Sequence, residues 1–178
     1  MTCFGLLTRI CTFATVFHSS IERIAVFPGS FDPVTRGHES IIRRSLPLFD
    51  RIIIAIGENN LKKPLFPLEQ RLEWLYKIFG AESRISIVQY SGLTVTFCRQ
   101  HHIRYILRGL RTSADFEFER EIGQMNRYMA PDIETVFLLA EPQYVSMSSS
   151  IVREIFRNGG DVTQFVPQEV LIKNDLLR

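Results

Sequence analysis

The sequence is poor in cysteine: its 178 residues contain three, Cys3, Cys11 and Cys98, and no Cys-x-x-Cys pair. An odd and sparse set argues against a disulfide framework and against a structural zinc site, so we expect no metal site built by the protein and a location in the reducing cytoplasm. Cys98 has the apolar neighbours Val95 and Phe97 and is predicted to be a small core residue.

Long apolar runs and an excess of one charge are also missing. No run of about 18 uncharged apolar residues occurs, so no membrane span is expected. The 21 basic and 19 acidic residues give a net charge of +2, which is too balanced to indicate nucleic acid or an acidic membrane surface as a partner. Neither Gly-x-Gly-x-x-Gly nor Gly-x-x-x-x-Gly-Lys-Ser/Thr is present, so any bound phosphate must be held by another kind of site.

Residues 1–22 are predicted to be an N-terminal appendage to one domain of residues 23–178. Up to Ile21 the stretch has no acid and a single base, Arg9, and its pattern does not recur. Arg9 interrupts the apolar run, which disfavours a signal peptide, and a transit peptide would need several arginines. We interpret residues 1–22 as a disordered tail or a start codon assigned too far upstream.

From Arg23 onward, short β-branched or aromatic runs alternate with turns and helical periods. The predicted strands are Ile24–Phe27, Arg51–Ile56, Ile85–Tyr90, Arg104–Leu107 and Thr135–Leu139. Several are apolar on both faces, as parallel strands between two helical layers are. The predicted helices include one after Pro67 through Phe79, Ser113–Met129, and Ser148–Arg157 before Gly159. The alternation predicts a single α/β, doubly wound (Rossmann-like) domain with a five-stranded parallel sheet flanked by helices, whose ligands bind beyond the carboxyl ends of the strands.

The first strand leads into a turn, Pro28-Gly29-Ser30-Phe31-Asp32-Pro33-Val34-Thr35-Arg36-Gly37-His38, which opens a helix. A helix start presents free N–H groups and the positive end of the helix dipole, so it binds phosphate readily. His38 at this position can donate to a phosphate oxygen as a neutral imidazole. A lone histidine is more often a cap or a core residue, but the turn beside it favours a binding role.

Further candidates follow the other strands. Arg108 and Arg111 are predicted to lie just past a strand end, on the loop before a helix, where two guanidinium groups could clamp phosphates. Lys62 follows the second strand and could equally be a solvated surface lysine. Ser148, Ser149 and Ser150 open the last helix, and they could simply satisfy its free backbone donors.

The segment Thr35-x-Gly37-His38 resembles the T-x-G-H form of a nucleotidyltransferase signature. The resemblance extends through Lys62-Lys63-Pro64, Arg108-Gly109-Leu110-Arg111, Ala114-Asp115-Phe116-Glu117, Met125-Asn126-Arg127 and Ser148-Ser149-Ser150 followed by Val152. In this order and spacing, Arg23 to about Val170 is similar to the bacterial phosphopantetheine adenylyltransferase family.

The resemblance implies reversible transfer of the adenylyl group of ATP to 4′-phosphopantetheine, giving dephospho-coenzyme A and pyrophosphate. It also implies Mg²⁺ held mainly through ATP phosphates and water, inhibition by coenzyme A and a homohexamer. Neither nucleic acid nor a membrane is expected as a partner.

It further implies roles for individual residues. The catalytic residues that it implies are His38, Lys62 and Arg111. ATP contacts are Ser30, Phe31, His38, Gly109, Leu110, Arg111, Glu119, Tyr144, Val145, Ser146, Met147, Ser148, Ser149 and Ser150. Contacts to the acceptor are Ser30, Lys62, Thr94 and Arg108. Thr94 stands where this family commonly has Leu or Met, which leaves its contact with the pantetheine arm open unless the backbone makes it.

Three alternatives remain on sequence grounds. A nucleotidyltransferase with nicotinamide mononucleotide or glycerol phosphate as acceptor would share the signature, but the block from Arg108 to Arg127 argues against it. A nucleic-acid-binding module would need a basic stripe or an extra domain. A non-catalytic nucleotide sensor is expected to have lost His38 or Lys62.

Overall fold

The computed structural model describes residues 22–58 and 63–170. Five strands and five α-helices alternate along them. The strands are β1 (Ile24–Gly29), β2 (Arg51–Gly57), β3 (Ile85–Tyr90), β4 (Tyr105–Leu110) and β5 (Glu134–Leu139). The helices are α1 (Arg36–Ser45), α2 (Leu68–Phe79), α3 (Thr94–Gln100), α4 (Ser113–Met129) and α5 (Ser149–Arg157), and a short 3₁₀ helix spans Pro142–Tyr144.

The sheet has the order β3-β2-β1-β4-β5, and every neighbouring pair is parallel. The chain moves outward from β1 to β3 and then returns to place β4 on the other side of β1. Strand order therefore reverses between β1 and β4, and a ligand crevice is expected where their carboxyl ends diverge. This architecture confirms the predicted five-stranded α/β fold.

Each face of the sheet is covered by a separate apolar layer. On one face, Phe27 and Ile54 pack with α1, α2 and α5 through residues such as Ile42, Leu75 and Phe156. On the other face, Val26 and Ile106 pack with α3. The two layers follow from strand alternation, since successive side chains of β1 point to opposite faces.

The predicted strand Arg104–Leu107 was placed too early in the chain. The strand is Tyr105–Leu110, so Arg108 lies inside β4. The prediction that Arg108 lies on the loop beyond the strand is therefore wrong. A charge is tolerated there because Arg108 shares a face with Ile106 and meets Glu119 of α4 on that face. Arg111 does follow the strand end, as predicted.

Other local predictions are confirmed or fall outside the described residues. Cys98 is buried, and Gly159 follows α5 with a φ of 78°, a backbone conformation that favours glycine. Helix α3 was not predicted, because its seven residues are too few to show a clear period. Lys62 and nearly all of residues 1–22 lie outside the described residues. Within residues 22–58 and 63–170, no helix is both long and apolar enough to cross a bilayer.

Candidate active site

A cavity of about 920 Å³ opens at the carboxyl edge of the sheet, within the size range of small-molecule sites. Its walls are the β1–α1 turn, the end of β4, the loop before α2 and the start of α5. Of the residues predicted from sequence, those that line it are Ser30, His38, Arg108, Gly109, Arg111, Glu119, Tyr144, Met147, Ser148, Ser149 and Ser150. The fold thus brings together segments more than a hundred residues apart.

His38 is fixed by its place in the first turn of α1. Thr35 is the N-cap, and its hydroxyl accepts from the His38 N–H across 3.4 Å. In return, Nδ1 of the His38 ring accepts from the Thr35 N–H across 3.1 Å. This reciprocal cap fixes the tautomer: because Nδ1 is an acceptor, the proton of the neutral ring is on Nε2.

The surroundings keep that ring neutral. Burial, then the positive charges of Arg111 and Arg108, lower the pKa of His38 from 6.5 to about 4. The ring meets Phe31 edge-on, with centroids 5.3 Å apart. Near neutral pH, His38 is therefore a donor through Nε2–H and not a cation.

Arg108 and Arg111 enter the cavity from neighbouring positions on and after β4, and each is held by a carboxylate of α4. Arg108 forms a two-point ion pair with Glu119 and donates to the Pro28 carbonyl across 2.9 Å. Arg111 donates to both oxygens of Asp115, at 2.9 and 3.0 Å, and to the Met147 carbonyl at 3.3 Å. Two planar guanidinium groups are thereby aimed into one crevice, an arrangement suited to phosphate.

The three serines at the start of α5 have distinct partners. Ser148 is the N-cap and accepts from the Ile151 N–H across 3.2 Å, so its capping role is confirmed. The Ser149 hydroxyl donates to the Pro33 carbonyl across 2.8 Å, and Arg153 donates to the Ser150 hydroxyl across 3.1 Å. Through Ser149, the start of α5 is joined to the turn that carries His38. The N-termini of α1 and α5 therefore border the same cavity.

Five predicted contacts do not line the cavity: Phe31, Thr94, Leu110, Val145 and Ser146. Phe31 is buried, with its ring beside Phe27, and a contact from it would need the backbone. Thr94 bonds to the Tyr90 hydroxyl at 2.8 Å, so that its hydroxyl is already engaged. Leu110 is buried in the sheet. The roles of these residues stay predictions.

Sequence reasoning missed other residues of the cavity wall, chiefly Asp32, Arg71, Arg153 and Arg157. Of these four, only Asp32 could have been suspected from the sequence, because it lies in the turn that carries the Thr35-x-Gly37-His38 signature. The cavity wall has six bases and four acids, and this excess favours anions. Among the described residues no group of three or more His, Cys, Asp or Glu side chains could hold a metal ion.

Comparison with known proteins adds a second line of evidence. Residues 26–155 match the model of the cytidylyltransferase-like family. A phosphopantetheine adenylyltransferase of Flavobacterium psychrophilum is 51% identical over 151 residues, which cover 85% of this chain and 99% of that protein. One of Lawsonia intracellularis is 44% identical and covers 84% of this chain and 87% of its own.

The chain belongs to the phosphopantetheine adenylyltransferase family. The resemblance found in the sequence is thereby confirmed, and the protein is a nucleotidyltransferase. A solved structure of a bifunctional NMN adenylyltransferase/ADP ribose pyrophosphatase from Francisella tularensis, complexed with AMP and a Mn ion, superposes with a TM-score of 0.61. It shares 18% identity and covers 82% of this chain and 44% of its own, so it supports the fold alone.

Proposed function

We propose that the cavity transfers the adenylyl group of ATP to 4′-phosphopantetheine, reversibly, giving dephospho-coenzyme A and pyrophosphate, the penultimate step of coenzyme A biosynthesis. The observation that carries this proposal is the convergence of a neutral His38 donor, two arginine forks and two helix N-termini on one crevice. Family membership supports the choice of acceptor.

The acceptor supplies its own nucleophile. A phosphate monoester has a second pKa near ~6, so at neutral pH it is largely a dianion and needs no general base. One of its oxygens forms a bond to the α-phosphorus of ATP, and the bond from that phosphorus to the oxygen bridging to the β-phosphate breaks. Pyrophosphate leaves with that electron pair, so no protein group has to accept or supply a proton.

The work of the protein is then positioning and charge stabilisation. We assign the catalytic roles to His38, Lys62 and Arg111. His38 donates from Nε2–H to an oxygen of the transferring phosphate, and Arg111 binds the phosphates from the end of β4. Lys62 lies outside the described residues, and its role rests on the family resemblance.

The ion pairs that α4 forms with Arg108 and Arg111 orient both arginines and still leave them able to bind phosphates. Arg108 and Arg111 are held in place by Glu119 and Asp115, yet each guanidinium still borders the cavity. We assign Arg108 and Ser30 to the acceptor, together with Thr94 through its backbone. The contacts to ATP are assigned to Glu119, to Gly109, Leu110 and Arg111 at the end of β4, and to residues 144–150. Phe31 is assigned to ATP through its backbone.

Magnesium is the proposed cofactor, and its chemistry here is charge neutralisation on the ATP phosphates. The donor set fits an ion that is held mainly by phosphate oxygens and water. Asp115 and Glu119, which lie in the cavity wall, are already engaged by arginines. We assign no described side chain as a direct ligand.

Three further properties belong to this proposal. Coenzyme A, which resembles the product, competes with phosphopantetheine for the cavity. The enzyme works in the cytoplasm as a homohexamer. Residues 1–22 are an appendage to the catalytic domain of residues 23–178, which is supported by the match of the family model to residues 26–155.

The test is pyrophosphate release from ATP with four samples: 4′-phosphopantetheine, nicotinamide mononucleotide, glycerol phosphate, and no acceptor. A parallel series replaces ATP by CTP, since the matching family model is named for cytidylyl transfer. Release is expected only with ATP and 4′-phosphopantetheine, and added coenzyme A should slow it competitively. Faster release with another acceptor or with CTP would refute the proposed substrates, and no release with any pair would refute the activity.

A further inference from the structure

Two charged side chains, Asp32 and Arg71, are buried beside the cavity, and the proposed reaction uses neither. Asp32 is 4% exposed and Arg71 is 7% exposed. Burying a charge is costly unless hydrogen bonds and opposite charges compensate it. The partners of these two groups therefore indicate what they contribute.

The carboxylate of Asp32 binds the loop before α2. Its Oδ1 accepts from the Phe66 N–H and its Oδ2 from the Leu65 N–H, both at 2.9 Å. Both oxygens are thus engaged by the backbone of this loop, in which Lys63 and Pro64 border the cavity. An aspartate bound in this way serves as a connector between two walls.

Arg71 makes a second connection between the same two segments. Its Nε donates to the Phe66 carbonyl across 3.1 Å, and its Nη1 donates to the Ser30 carbonyl across 2.7 Å. The peptide of Phe66 is therefore held on its N–H side by Asp32 and on its carbonyl side by Arg71. Such a clamp leaves the loop little freedom relative to the turn.

Helix α5 is attached to the same point. Arg153 donates to the backbone carbonyl of Asp32 across 2.6 Å, and its nitrogen lies 3.6 Å from Asp32 Oδ2. The same guanidinium donates to the Ser150 hydroxyl. Three walls of the cavity, the turn, the loop before α2 and the start of α5, thus meet at Asp32.

We propose that Asp32 is a positioning residue for adenylyl transfer, which holds these three walls at the spacing that the reacting phosphates need. This inference rests on the proposed function. The negative charge of Asp32 repels phosphates bound nearby. If Asp32 acted only through this charge, removing the charge would tighten ATP binding. If Asp32 instead positions the three walls, removing its carboxylate would slow the chemical step, because small displacements of catalytic groups reduce turnover strongly.

The test compares Asp32→Asn with Asp50→Asn. The asparagine keeps one acceptor oxygen but sets an NH₂ group against the second backbone N–H. We expect kcat to fall roughly tenfold to a hundredfold, while the Kd of ATP changes by less than about threefold. Asp50, paired with Arg23 on the surface 3.1 Å away, is the matched control and should leave both unchanged.

Hydrogen exchange of the Leu65 and Phe66 amides supplies a readout that does not depend on turnover. Both amides should exchange faster in Asp32→Asn than in the wild type, and not in Asp50→Asn. If the wild type itself turns over no substrate, the proposed function fails, and exchange alone then decides whether Asp32 joins the walls. Normal kcat, or slowed kcat with unchanged exchange at both amides, would overturn the proposal.

Should Asp32→Asn fail to fold, Arg71→Lys takes its place. The lysine keeps the charge but cannot donate to Ser30 and Phe66 in the geometry of the guanidinium fork. It should reproduce the loss of kcat and the faster exchange at Phe66. A folded Arg71→Lys enzyme with normal kcat and normal exchange would equally overturn the proposal.

Discussion

The Thr35 N–H donates to Nδ1 of His38 across 3.1 Å, and this one bond decides which ring nitrogen of His38 can donate a hydrogen bond. It sets the neutral tautomer with its proton on Nε2. Because burial and two arginines also lower the pKa of His38 to about 4, the ring offers a donor without a net charge. In the proposed reaction, the donor that His38 offers to the phosphates would therefore stay unchanged as the pH rises through 7.

The first prediction concerns this titration. In the free enzyme labelled with ¹⁵N-histidine, nitrogen shifts should identify the Nε2–H tautomer of His38 and a midpoint near pH 4. Among the described residues, His101 and His102 are exposed, and they serve as internal references on the same spectrum. A His38 midpoint near its ordinary 6.5 would show that the ring is not held as the structure indicates.

The second prediction follows from the sign of the same shift. Between pH 4 and 6.5 the unfolded chain binds a proton at His38 that the native protein does not, so the free energy of unfolding must fall as the pH falls through this range. Above pH 6.5 the contribution is complete and constant. Urea titrations of wild type and His38→Gln should therefore differ in pH slope only below pH 6.5, by up to about 3 kcal/mol in total. Parallel curves across pH 4–8 would contradict it.

The third prediction tests the geometry of Arg111. Arg111→Lys keeps the charge but loses the two-point pairing with Asp115 that holds the guanidinium at the cavity. We expect kcat/KM to fall roughly tenfold or more, with a small change in melting temperature because exposed ion pairs contribute only ~0–1 kcal/mol. Arg99→Lys is the matched control, since Arg99 pairs with Asp132 on the surface at 3.2 Å. Equal kinetics for the two variants would remove Arg111 from the mechanism.

The sequence predicts features that depend on neighbouring residues better than features that depend on contacts between distant elements. Strands apolar on both faces and helices with clear periods were predicted within a few residues, and His38 and Ser148 were recognisable because a helix start is a local pattern. Arg108 was misplaced because a charged residue usually ends a buried strand. Here its partner, Glu119, lies on another element and could not be foreseen.

The junction at Asp32 was missed for the same reason. Its bonds reach residues 33 and 34 positions away, and that of Arg153 spans 121 positions. No period or motif encodes such contacts, which arise only when the sheet brings its carboxyl ends together. Buried charges of this kind are visible from structure and not from composition.

The fourth prediction concerns assembly. Helix α4 has no buried residue, and Phe118, Ile122, Met125 and Met129 form an exposed stripe at helical spacing. If the proposed hexamer uses this stripe, Met125→Glu should reduce the mass found by light scattering at micromolar concentration without loss of helix content. Leu48→Glu, an exposed apolar residue after α1, is the control. A wild-type protein that is monomeric under these conditions would contradict the hexamer.

The last prediction is the loss of the His38 donor. His38→Ala removes one half of the reciprocal cap, while the Thr35 hydroxyl can still accept from the backbone N–H at position 38. The cost should be about 1 kcal/mol, or roughly 2–4 °C in melting temperature. A donor directed at charge that develops in the transition state is worth ~3 kcal/mol, so kcat should fall roughly a hundred- to a thousandfold while ATP affinity changes little. His101→Ala, outside the cavity, should leave kcat unchanged. A strongly lowered melting temperature with normal turnover in the folded fraction would make His38 a structural residue, and the catalytic role would have to be withdrawn.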